Sequence, residues 1–262
     1  MPSIYPVSVS RHGTRRWLRY SSYSFAAQDA VCPLVVQELS RAVMSLPVAF
    51  VESGDDFLLV AVQGLQPGRN LFVAPDGRWL GAYVPALYRG YPFVLASAED
   101  GQQVLCIDEE SGLLVDAGGE PLFDEEGKPV KALADVLAFL GQVAGNRQLT
   151  QRACALLQEH GLIQPWSIQV QVGEGEKTLT GLFRIDEAAL NALSADALLV
   201  LRDAGALSLA YCQLLSQQHL SSLGQLAQAH ARLALQTTAP QPAAEIDLEF
   251  LNRSETIGFG NL

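Results

Sequence analysis

Arg11, His12, Arg15, Arg16 and Arg19 lie close together near the start of the chain, interleaved with Trp17 and Tyr20. Guanidinium forks grip carboxylates and phosphates through paired hydrogen bonds, so this cluster can hold an acidic group. A histidine among such cations suits a neutral, hydrogen-bonding role. A second concentration, GRWLGAYVPALYRGYPF at 77–93, sets Arg78 and Arg89 among Trp79, Tyr83, Tyr88, Tyr91 and Phe93. Aromatic side chains with arginine are the composition of binding hot spots. They are equally what a proline-bent turn uses to bury its own loop. The candidate binding residues are therefore Arg11, His12, Arg16, Arg78, Trp79, Tyr83, Arg89 and Tyr91. Arg89 and at least one N-terminal arginine are expected to face a common polar surface lined by Trp79 or Tyr91. A nucleophile with its base is not recognisable, so no catalytic residue is assigned and an enzyme is the less favoured reading.

The acidic counterpart is a run over residues 99–135, with eleven Asp and Glu against Lys128 and Lys131. It lacks the alternating oxygen ligands of a calcium loop and reads as solubilised turns or as a patch for a basic partner. The N-terminal arginines can instead form an arm that pairs with this run, and that intramolecular use takes precedence. The four cysteines, at 32, 106, 154 and 212, form no CxxC pair, and the four histidines make no metal-binding spacing. Small buried hydrophobes in a reducing interior are the expected role of the cysteines, with no metal and no cofactor. A net charge of −11 over 262 residues argues against nucleic acid and anionic lipid as partners. No stretch has the length of a spanning helix or of a cleavable secretory signal, so a soluble, cytoplasmic protein without transmembrane insertion is expected.

The elements that must position these residues fall into two halves. VAFVE and FLLVAV around SGDD predict a hairpin, and NLFV with WLGAYV around APDGR predicts another. YPFVLAS with QVLCID, and then LLVD and PLFDEEGKP, continue the alternation and together predict a meandering antiparallel sheet over 45–125. Pro33 to Met44 has helical spacing. From Lys131 two helices are predicted, parted at Gly145-Asn146, the second capped by Gly161. A hairpin comes next near 167–184, then helices capped by Asp186 and Ser194 and a long helical stretch broken near Gly224. The fold class is α+β, an antiparallel strand-rich N-terminal half packed with a mainly helical C-terminal half. One domain over 1–236 and an extended tail over 237–262, weakly held from about Pro240 except where Ile246–Phe250 docks, complete the organisation.

PLVVQELSRAVMSLPVAFVE followed by GRNLFVAPDGRWLGAYVPALYRGYPFVL resembles the bacterial SapC family. The ordered matches are Asn70, Leu71, Phe72, Val73, then Asp76, Gly77, Trp79, Tyr83, Pro85, Arg89, Tyr91, Pro92 and Phe93. CIDEESG, PLFDEEGKPV, TGLFRIDEAALNAL and GALSLAYCQLLSQQHLSSL continue the resemblance in order over roughly residues 5–235. Gly90 departs from the pattern, which there carries a bulkier, often basic residue. The resemblance implies a bacterial protein linked to the surface layer, distinct from the peptide-transport permease of the same name, and it brings no reaction or mapped site. It favours a non-enzymatic, surface-layer-associated or accessory module with an unidentified protein partner. The alternative is an intracellular accessory or tailoring enzyme acting on peptides or glycans.

Overall fold

The computed structural model of the protein describes residues 3–97, 102–172 and 175–238. Its strands are β1 Ile4–Pro6, β2 Arg16–Trp17, β3 Val31–Pro33, β4 Val48–Ser53, β5 Asp56–Val62, β6 Phe93–Ser97, β7 Gln103–Asp108, β8 Leu114–Val115, β9 Glu120–Pro121, β10 Ile163–Val172 and β11 Gly175–Ile185. Its α-helices are α1 Val9–His12, α2 Leu39–Ala42, α3 Ala86–Arg89, α4 Lys131–Glu159, α5 Glu187–Asn191, α6 Ala195–Asp203, α7 Ala206–Ser216 and α8 Leu220–Thr238. The class is α+β, as the sequence predicts. The expected tail from Pro240, with Ile246–Phe250, lies outside the described residues.

The β4–β5 hairpin turns at Gly54, whose φ of 63° no side chain readily adopts. Its strands are the centre of a five-stranded sheet ordered β10-β11-β4-β5-β3. Val48, Ala49 and Phe50 are all buried in sequence, because this strand is covered on both faces. The C-terminal hairpin β10–β11 joins the sheet through Phe183 opposite Phe50, so the two halves of the chain share one core rather than merely abutting.

The expected single meander is instead three sheets. Besides the five-stranded one there are β1-β7-β6 and β8-β2-β9. In the last of these, Arg16 and Trp17 slide between β8 and β9, which therefore pair with β2 and not with each other. NLFV and WLGAYV give only an isolated bridge between Val73 and Trp79. The turn between them exists, with Gly77 at φ 82°, but Pro75 and Pro85 withhold ladder donors and the Asn70 side chain takes the Phe72 N–H at 2.9 Å.

Two helical expectations are also corrected. The 33–44 segment is not one helix. Pro33 ends β3, the Leu34 N–H goes to the Leu59 carbonyl at 2.9 Å, and side chains rather than a helix ladder take the next two donors: Glu38 accepts the Val35 N–H at 2.9 Å and Thr150 the Val36 N–H at 2.9 Å. Beyond Lys131 a single helix, α4, runs straight through Gly145-Asn146. Leu133 and Leu140 enter a core with Trp17, Phe93, Ile107 and Leu122, while Ala153, Cys154 and Leu157 enter the main core. A glycine costs a helix about 1 kcal/mol, and each buried leucine returns about 1.5–3 kcal/mol, so packing at both ends wins. Gly161 at φ 66°, Asp186 and Ser194 serve as the expected caps. The later break falls at Gln217–His219, earlier than Gly224, where the Ser216 hydroxyl is drawn into the core to accept the Val48 N–H at 3.0 Å.

All four cysteines are free, three of them buried, and burial pushes the Cys154 thiol up to about 12. No single helix among the described residues is long and apolar enough to cross a membrane. Nor, among those residues, does any group of three or more His, Cys, Asp and Glu stand together as a metal site.

Candidate functional site

The N-terminal basic cluster is spent on the chain itself. Arg11 forms a forked pair with Glu109, Nε to Oε1 at 2.5 Å and Nη2 to Oε2 at 2.8 Å, with its guanidinium 3.8 Å above the Tyr5 ring. His12 is buried; its Nδ1 accepts the Ser8 N–H, which leaves the ring hydrogen on Nε2, 3.1 Å from Glu109. The Arg11 guanidinium and then the His12 ring hold the Glu109 carboxyl down at about 2. Arg15 pairs with Asp116 at 3.0 Å and Arg19 with Glu120 at 2.9 Å, while Arg16 donates to the carbonyls of Gly118 and Gly119. Arg78 turns back on Asp76 within its own turn. The acidic run thus receives the basic arm, and β2 is the strand that sets the register between them.

Arg89 differs from Arg11, Arg15 and Arg19, which are paired with acids, and from Arg16, which is spent on backbone carbonyls. Among the described residues it has no carboxylate partner; its Nη2 donates to the Tyr83 hydroxyl at 3.1 Å. The guanidinium carbon lies 5.6 Å from the Tyr83 ring and 5.3 Å from the Phe139 ring of α4, within cation–π range of both. Tyr83 is held in turn, donating to Glu38 Oε2 at 2.8 Å. Glu38 is 6% exposed and fixed by two backbone donors, Val35 N–H at 2.9 Å and Ala86 N–H at 2.7 Å. Burial first, and then the Glu38 carboxylate, raises the Tyr83 hydroxyl well above the ordinary tyrosine range, against the pull of Arg89 and Arg41. Tyr83 is therefore a fixed hydrogen-bond donor.

Two depressions meet at Arg89. The larger, of about 440 Å³, runs between α2, α3 and α4 and is lined by Glu38, Arg41, Tyr83, Arg89, Phe139 and Gln142 among others. The smaller, of about 290 Å³, is lined by Trp17, Arg19, Tyr20, Arg89, Tyr91 and Val136 among others. Tyr91 stacks on Phe25 at 3.9 Å and meets Tyr20 edge-on. Of the residues singled out in the sequence, Tyr83, Arg89 and Tyr91 line this surface. Arg11, His12, Arg16 and Arg78 do not. Trp79 stands behind it, half-buried, stacked on Phe72 at 5.6 Å with its indole N–H on the Tyr83 carbonyl at 2.9 Å. The N-terminal arginine that reaches the surface is Arg19.

The matching protein-family model is SapC, and the match spans residues 7–223. The chain belongs to the SapC family. No curated protein and no solved structure matches it. The SapC match takes in both main cores and every residue of the Arg89 surface, so the surface is part of the family's domain and not an appendage. Gly90, where the resemblance leads one to expect a bulkier residue, lies in a tightly packed place. A Cβ there would stand 2.6 Å from Leu140 Cδ2, so α4 packs directly against the glycine.

Sequence reasoning missed Glu38 and Arg41. Both sit in a stretch read as an ordinary amphipathic helix. The available signal was a carboxylate flanked by PLVVQ and LSRAV, where an acid on an apolar segment needs a partner.

Proposed function

We propose that this SapC-family chain is a non-enzymatic protein-binding module, associated with the bacterial surface layer, and that its partner docks on the surface around Arg89. The observation that supports this is the state of Arg89. Arg11, Arg15 and Arg19 are matched to acids of their own chain, whereas Arg89 is held in place by Tyr83 and has no described carboxylate. An exposed arginine pre-ordered by aromatic rings is the kind of anchor that dominates interface energetics, because little rotamer freedom remains to be lost on binding. Half-buried Tyr83 and Tyr91 add contact area of low conformational entropy beside it. The surface-layer part of this proposal rests on what the family resemblance implies.

A photo-cross-linking side chain in place of exposed Leu87, which lines an apolar depression adjoining the larger Arg89 one through the shared Val35, Glu38 and Val143, tests this in the native bacterium. A discrete adduct at position 87, absent with the same probe at exposed Leu199 of α6 and enriched with the surface-layer fraction, is the expected result. Equal adducts at both positions, or none at 87, would remove the basis for the reading. Recovery of the protein wholly away from the surface fraction would remove its surface-layer part.

A further inference from the structure

We propose that the larger depression is a receptor for a single peptide carboxylate, gripped between Arg41 and Arg89; the proposal rests on the Arg89 surface being a protein-docking face. Its charge balance argues first. The charged residues in its lining are Arg41, Arg89 and Glu38, two cations and one anion, so the site carries one net positive charge. A monocarboxylate completes that balance, whereas a phosphate dianion overshoots it beside the buried Glu38.

The geometry argues second. The Tyr83 hydroxyl fixes one edge of the Arg89 guanidinium, and the remaining N–H groups are free to fork onto a carboxylate. Glu38, itself pinned by two backbone N–H groups, is the positioning residue that holds Tyr83 for this purpose. Arg41 is exposed, and among the described residues no ion pair neutralises it.

The choice of peptide over sugar comes from the rings. Sugars bind to proteins largely by lying on open aromatic faces, and the two rings of this site, Tyr83 and Phe139, already have the Arg89 guanidinium within 5.6 and 5.3 Å. What remains at the rim is amide chemistry, Gln142 and the Asn146–Gln37 pair joined at 2.8 Å, which suits a peptide backbone. A strongly acidic chain repels carboxylates elsewhere, so a local cationic fork is what admits one. The acid itself is either a Glu or Asp side chain or a chain terminus.

The test uses the full chain with 15N-labelled arginine and tracks the side-chain Nε–Hε resonances. The probes are an end-blocked pentapeptide with a central Glu, its Gln counterpart, a blocked trialanine with a free C-terminal carboxylate, glucuronate and inorganic phosphate. The Arg89 and Arg41 signals should move together on one saturating curve with the Glu peptide or the free-acid peptide; whichever binds tighter identifies the source of the carboxylate. Arg89→Ala and, separately, Arg41→Ala should each weaken that curve by tenfold or more while the rest of the spectrum stays folded. Arg89→Lys, which keeps charge and loses the fork, should fall between. An equal curve with the Gln peptide, saturation by glucuronate or phosphate at lower concentration than either acidic peptide, or no movement of either arginine would overturn the proposal. If the peptides fail while a cross-link at position 87 still depends on Arg89, the carboxylate assignment alone is lost. If that cross-link is lost as well, so is the docking face.

Discussion

Glu38→Ala should destabilise the protein severely, because one carboxylate there serves three donors. The Val35 N–H, the Ala86 N–H and the Tyr83 hydroxyl all lose their acceptor at once. Each buried donor left unpaired costs about 1–3 kcal/mol. The Tyr83 hydroxyl borders the open depression and can turn to water, so the two backbone groups carry most of the loss. The removed carboxylate also no longer suffers desolvation, which offsets part of the sum. The expected net is roughly 3–5 kcal/mol. For a chain of this size that lowers the melting temperature by about 6–20 °C, at about 2–4 °C per kcal/mol. Glu38→Gln keeps the shape and one acceptor oxygen but turns an NH2 toward at least one donor, and should cost about 1–2 kcal/mol. Urea unfolding of the three proteins monitored by circular dichroism, with equal slopes, checks the ranking. If the alanine variant lies within about 0.5 kcal/mol of the parent, Glu38 does not organise the Tyr83–Arg89 surface.

Gly145→Ala should stabilise α4 by about 0.5–1 kcal/mol, since nothing lies within 4 Å of the added methyl and the helix is continuous there; a lower melting temperature would mean the helix is broken at that point. Gly90→Ala should destabilise by about 1 kcal/mol, the low end for overpacking, because the added methyl meets only the end of the Leu140 side chain, and Leu140→Ala in the same chain should recover part of it in a double-mutant cycle; simple additivity would exclude the contact. The Glu109 carboxyl lies below its ordinary 4.5, near 2, so its contribution is present above about pH 4.5 and lost as pH falls towards 2. Glu109→Gln should therefore flatten the acid side of the stability curve across that window, and parallel curves for variant and parent would refute the Arg11–His12–Glu109 pairing.

Turn chemistry was the most legible part of the sequence. Gly54, Gly77 and Gly161 sit at the positive φ their contexts call for, because a tight turn or a helix end is a local event that a few residues determine. The joining of the elements was less legible. Trp17 between β8 and β9, and Phe183 opposite Phe50, are pairings over about a hundred residues or more that no local pattern encodes. The unbroken α4 has the same origin, since the cores at its two ends, and not the Gly145-Asn146 dipeptide, decide its continuity. At the site, Arg89, Tyr83 and Tyr91 stood out by composition. Glu38 and Arg41 did not, because their importance arises only when α2 is laid beside α3 and α4.

The most direct measurement is the cross-link from position 87 in the native bacterium, made in the parent chain and in Arg89→Ala, with the melting temperature of both proteins recorded. A docking face anchored by Arg89 predicts a discrete protein adduct in the parent that falls at least tenfold in the variant. The melting temperature should be unchanged, since among the described residues exposed Arg89 bonds only the Tyr83 hydroxyl and packs beside two rings. An adduct that persists undiminished in a fully folded Arg89→Ala protein would contradict it.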